Sequence, residues 1–180
     1  MNMNQFTQKT IQAIQDAQRL AVEYQNQAIE QEHLLAALTQ QQDGLIPQLL
    51  TKMGVEPGNF LAAATEKVAA LPHVTGSGRD PEKVYISNEL DQALNAAEAQ
   101  AKQMKDEYIS VEHVFLGMLQ RPGRAAKELF TRFGITAETF MKQLSTVRGN
   151  QRVTSDDPES TYNALEKYGQ DLVDMARKNK

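Results

Sequence analysis

The chain has 180 residues, of which 41% are hydrophobic, no cysteine, and a net charge of −4 with both signs spread along its length. This composition supports a buried core and excludes a disulfide framework or a cysteine-based metal site. It also lacks the clustered basic patch of a nucleic-acid surface, a basic-then-apolar secretory leader and any run near the ~18 apolar residues of a membrane span, so a cytoplasmic helical protein is expected. Abundant Ala, Gln, Glu and Leu, with few Gly and Pro, favour helices. In chain order, Phe6, Thr10, Ala13, Ala17, Ala21 and Tyr24 fall on one face of a first helix. A second helix is expected over Glu32 to Thr39, carrying Leu34, Leu35 and Leu38. Pro47 opens a short third helix through Met53, and Gly54 stands at a left-handed C-cap position. Pro57 opens a fourth helix that runs to about Leu71. Residues 72–82, PHVTGSGRDPE, read as a loop. The helical pattern then returns, with Ser87 and Ser110 as N-caps, Gly134 ending one helix and Thr136 capping the next. Residues 149–160, GNQRVTSDDPES, are polar and without periodicity, which predicts a flexible, protease-sensitive linker. In residues 161–180, Leu165, Tyr168, Leu172, Val173 and Met175 form an apolar stripe with little to pack on in the preceding domain. They are expected to begin a second domain that the chain cuts short.

The return of the pattern is an internal repeat at a constant offset of 80 residues, with no gap. Gln12, Ala13, Ala17 and Ala21 recur as Gln92, Ala93, Ala97 and Ala101; Ile29, Glu32 and His33 recur as Ile109, Glu112 and His113. Leu49, Gly54 and Phe60 recur as Leu129, Gly134 and Phe140. The expected architecture is therefore all-α: two pseudo-symmetric four-helix repeats, residues 4–71 and 84–148, within a domain of residues 1–148. The copies differ in their polar positions. Asn26 stands where the second copy has Asp106, and Glu30 where it has Ser110, so any binding surface is expected to be asymmetric.

The repeated Glu32-His33 and Glu112-His113 pairs lie in the first turn of matching helices. One reading is structural: an acidic residue there interacts well with the helix dipole, and the histidine bonds nearby backbone. The other places Glu32 and Glu112 beside a peptide-binding surface. Their spacing is not H-E-x-x-H, which argues against a zinc site. No acid, base and nucleophile converge, so no catalytic residue is assigned, and no G-x-x-x-x-G-K-[ST] sequence is present to bind ATP. Met53, Phe60, Phe130, Phe133, Phe140 and Met141 fall at core spacing and read as packing.

The segments FTQKTIQAIQDAQRLA, AIEQEHLLAAL, LPHVTGSG and YISVEHVFLGML resemble, in order, the paired Clp N motifs of ClpB-type AAA+ disaggregases. LEKYGQDLVDMARKNK resembles the opening helix of that family's first AAA+ module, so the resemblance covers the whole chain. It implies a homo-hexameric parent that uses ATP and Mg to thread aggregated polypeptides through a central pore with the DnaK system during heat stress. The N-terminal domain would sit mobile above the pore, be monomeric in isolation, need no cofactor, and engage unfolded polypeptides. Thr7, Asp106 and Glu112 match positions resembling the family's substrate contacts, and Glu32 joins them as the repeat partner of Glu112. Ala96, Gln100 and His113 match an apolar groove in which some relatives carry leucines. Each leucine missing from such a groove forfeits about 1.5–3 kcal/mol of burial, so the groove here is expected to bind more weakly. In the related ClpC domain the acidic residues of the repeated motif receive phosphoarginine; here a general attraction of basic, unfolded segments fits better. The resemblance leaves an alternative: an adaptor-docking domain of a ClpA- or ClpC-type unfoldase that feeds a protease.

Overall fold

The computed structural model describes residues 3–74 and 84–159. After a 3-10 turn at Met3–Gln5, the first copy comprises α1 (Gln8–Glu23), β1 (Ala28–Ile29), α2 (Gln31–Gln40), α3 (Leu45–Lys52) and α4 (Pro57–Ala69). The second comprises β2 (Tyr85–Ile86), α5 (Asn88–Gln103), α6 (Val111–Gln120), α7 (Arg124–Phe133) and α8 (Ala137–Arg148). Thr7 and Ser87 cap α1 and α5 by accepting from the N–H groups of Thr10 and Leu90. Gly54 and Gly134 adopt φ of +80° and +67° after α3 and α7, the left-handed region that favours glycine. α3 begins at Leu45 rather than at the expected Pro47, which becomes its third residue. The first four N–H groups of a helix have no intrahelical acceptor, so proline costs nothing there.

α2 and α6 are the central helices. Every residue of α2 except Gln40 is buried, and Val111 through Met118 of α6 are all buried. Such all-round burial requires apolar or internally satisfied side chains on every face. Around them Phe115 stacks on Phe140 with ring centroids 4.7 Å apart, and Phe60 meets Phe133 edge-on at 5.3 Å. Phe60 and Phe140 are fully buried, as packing residues should be. α5 and α6 approach closely at Gly117, where an added Cβ would lie 2.2 Å from the carbonyl oxygen of Ala93. The first copy has Ala37 at the matching position, buried among its neighbours.

The helical expectation holds, with one addition. β1 and β2 pair in parallel, Ala28 with Tyr85 and Ile29 with Ile86. At the matching place, Phe6 forms a parallel bridge with Ile109. The Ser87 N–H donates to the Ile29 carbonyl at 3.1 Å, and the Thr7 N–H to the Ile109 carbonyl at 3.1 Å. Residues 6 and 86 and residues 29 and 109 are each 80 apart. The entry segment of each copy is therefore bonded to the other copy, and the two interlock. Two-residue strands carry no readable periodicity, which is why the sequence pattern does not reveal them.

In place of a free tether, residues 151–159 run back over the domain. The Glu107 N–H donates to the Val153 carbonyl at 2.8 Å, and the Gln8 N–H to the Asp156 carbonyl at 2.7 Å. Val153 is fully buried. These main-chain bonds, which any side-chain sequence can make, are joined by side-chain bonds that link Arg152 to Met104, Asp156 to Gln8, and Glu159 to Thr7 and Val111. Residues 75–83 of the inter-repeat loop and 160–180, including the expected start of the next domain, lie outside the described residues.

Candidate functional site

The two histidines occupy the third position of α2 and α6 and close a capping box. The Glu30 N–H donates to His33 Nδ1 at 2.8 Å, and the Ser110 N–H to His113 Nδ1 at 2.9 Å. A ring nitrogen that accepts from an amide leaves the other to donate. His33 Nε2 accordingly meets Asn26 Oδ1 at 2.8 Å, and His113 Nε2 meets Asp106 Oδ2 at 2.7 Å. Both ring nitrogens of each histidine are thus engaged within the fold. Burial pulls His33 down to about 4, against the opposing bond from the Glu30 amide.

From this shared frame the copies diverge. In the second, Arg148 at the end of α8 grips Asp106 with both guanidinium nitrogens, Nη1 to Oδ2 at 2.9 Å and Nη2 to Oδ1 at 2.7 Å. The Val153 N–H adds a bond to Asp106 Oδ1 at 2.9 Å. Burial pushes the Asp106 carboxyl up, but bonds from His113, Arg148 and the Val153 amide, with the Arg148 charge, hold it well below the usual carboxylate range. Arg148 Nη1 also stands 3.5 Å from Glu112 Oε2. Glu112 is fully buried, and neither of its oxygens accepts a hydrogen bond. Beside it, Glu159 Oε1 accepts from the Thr7 hydroxyl at 2.7 Å and from the Val111 N–H at 3.2 Å. Burial and the neighbouring charge of Glu112 push the Glu159 carboxyl up to about 7.

Thr7, distant in sequence from Asp106 and Glu112, therefore converges with them on one buried network. Thr7 is reached through Glu159, and Asp106 and Glu112 through Arg148. Glu32 lies apart from it, in a cleft between the copies lined by Glu30, Lys67 and Leu71 of the first and Glu89 and Arg124 of the second. Burial raises its carboxyl to about 7, against a lowering backbone bond. Of the three groove positions, His113 is fully buried with both ring nitrogens engaged. Ala96 and Gln100 sit one turn apart on α5, both half-buried, and Gln100 Oε1 accepts from Gln120 Nε2 at 2.9 Å. Sequence reasoning misses Arg148, Val153 and Glu159. A signal for the first exists: at the offset of 80, Asn26 becomes Asp106 and Val68 becomes Arg148, so an acid and a base appear together.

Among the described residues no group of three or more His, Cys, Asp or Glu side chains could hold a metal ion, and no helix is long and apolar enough to cross a membrane. Two interlocked four-helix units, each with a histidine-boxed central helix, define a helical double-repeat domain. The model of the Clp repeat (R) N-terminal domain matches residues 5–133, and the chain belongs to that family. It is 43% identical over 185 aligned residues to the chaperone protein ClpB of Nitratidesulfovibrio vulgaris, and 46% identical over 180 to that of Bacillus cereus. All of this chain is covered in both, yet it spans only 21% of the length of each relative. The crystal structure of the Hsp104 N-terminal domain from Candida albicans matches with a TM-score of 0.74 at 26% identity, covering 86% of this chain and 98% of that one.

Proposed function

We propose that this chain is the substrate-engaging N-terminal domain of a ClpB-type, ATP-dependent protein disaggregase acting in the cytoplasm. The observation that carries the proposal is the convergence of Thr7, Asp106 and Glu112 on one network, in a chain whose relatives are ClpB chaperones. Glu112 supplies two buried acceptor oxygens with no hydrogen bond, a costly state that a donor from an incoming polypeptide would relieve. Backbone amides and basic side chains of unfolded segments are such donors. Glu32 offers a second acidic position in its own cleft. In this reading residues 1–148 form the binding domain, 149–160 connect it onward, and 161–180 begin the first AAA+ module. ATP, Mg, the hexamer and cooperation with the DnaK system belong to the remainder of the parent protein.

A pull-down tests the proposal. The immobilised 180-residue chain is expected to retain a permanently unfolded model protein. Retention of a Clp protease adaptor, with no retention of the unfolded chain, would replace this reading with the adaptor-docking one.

A further inference from the structure

We infer that residues 151–159 are a displaceable strap, lying along the path that an extended client polypeptide takes across the Thr7–Asp106–Glu112 cluster. The inference rests on the client-binding reading above and adds how that site is occupied and released.

The strap is held as a bound peptide would be. Its main chain supplies carbonyls to the amides of Glu107 and Gln8, at Val153 and Asp156. Its Val153 amide donates to the Asp106 carboxylate. One small apolar side chain, Val153, is fully buried, and one acidic side chain, Glu159, reaches the Thr7 hydroxyl and the first amide of α6. Extended-segment recognition elsewhere uses the same parts: main-chain bonds for affinity and a few side-chain positions for selectivity. The main-chain bonds are not peculiar to this segment's sequence, although the Glu159 bonds are. An extended client with a small β-branched residue in the Val153 position could make the same main-chain bonds.

The strap is also a poor fit at its far end. Glu159 is buried against Glu112, a like charge, and three carboxylate oxygens there, both of Glu112 and Oε2 of Glu159, accept no hydrogen bond. Arg148 is the cation that faces both Asp106 and Glu112. A client that brings an amide, hydroxyl or cationic donor to Glu112 satisfies those oxygens, whereas the strap brings only a second carboxyl. The site is thus filled when no client is present, yet by an occupant that a better-matched segment displaces. Displacement would free about nine residues, a tether of up to about 30 Å when extended.

The chain contains no cysteine, so a reversible lock is clean to build. In Q8C/D156C, cysteines replace two residues already joined through main chain and side chain. Affinity for a fluorescein-labelled, permanently unfolded model protein is read by anisotropy, with amide shifts to map its position. Oxidation should weaken binding about tenfold or more, and reduction should restore it, because a locked strap removes the competent population. Val153→Asp should unseat the strap and tighten client binding several-fold, with faster amide exchange at Glu107. If locked and released forms bind equally at the Thr7–Asp106–Glu112 face, the strap is overturned and the site reading stands. If the client maps elsewhere in every form, both fall.

Discussion

The two copies begin from the same device and end in different chemistry. Each places a histidine at the third position of its central helix, bonded through Nδ1 to the cap amide and through Nε2 to a side chain seven residues earlier. In the first copy that side chain is a neutral Asn26, and the position matching Arg148 is Val68, fully buried. In the second it is Asp106, joined to the strap and to Arg148, which also faces Glu112. The histidine frame of the first copy thus rests on a neutral partner and an apolar neighbour position. The second carries buried charge, which folds only while each acid keeps its partner and which leaves Glu112 short of hydrogen bonds.

The largest effect should come from breaking that partnership. Arg148→Ala leaves buried acids without their cation and is expected to cost about 3–5 kcal/mol in urea unfolding. Val68→Ala, its counterpart, deletes only apolar volume and should cost about 1.5–3 kcal/mol. Equal losses would mean that the charged network is energetically no different from packing. Next, Gly117→Ala drives a Cβ to within 2.2 Å of a backbone oxygen and should destabilise by about 1–3 kcal/mol. Ala37→Gly, at the same place in the first copy, should cost about 1 kcal/mol through helix propensity. If Gly117→Ala is silent, the closer approach of α5 and α6 does not depend on glycine.

Two smaller effects separate the copies by pH. His33 sits at about 4 in the fold against an ordinary 6.5, so the unfolded chain binds the extra proton between those values. Its contribution is complete above pH 6.5 and lost as pH falls through 4, by at most about 1.4 kcal/mol per pH unit. Unfolding measured across that window should flatten in His33→Gln. Glu159 works in the opposite sense. Its carboxyl is at about 7 when docked against an ordinary 4.5, so the docked strap holds the extra proton. Docking is strongest below pH 4.5 and weakens as pH rises through 7. Exchange at the Val111 amide, corrected for intrinsic rate, should accelerate over that range, and Glu159→Gln should remove the acceleration.

Much of the fold is legible in the sequence because it is local. Ser87, Ser110 and Thr136 announce helix starts, Gly54 and Gly134 announce ends, and the apolar spacing between them sets the faces. Comparing the copies at the offset of 80 also singles out Asp106. The parts that stay hidden depend on main chain or on long separation in sequence. The crossed pairings of Ile29 with Ile86 and of Phe6 with Ile109 involve single residues far apart. The strap reads as linker because its polar groups find partners far away in sequence, with Val153 its one apolar clue. The bonds of His113 to the Ser110 amide and to Asp106 are likewise not visible in a family match at that position.

The most direct test of the difference between the copies is a chemical-shift titration of the 180-residue chain with a permanently unfolded model protein. The amides of Thr7, Asp106 and Glu112 should move together with those of Val153 and Glu159, while Asn26 and His33 stay still. Shifts at Asn26 and His33, with the second copy's network silent, would contradict the assignment of client binding to the charged copy.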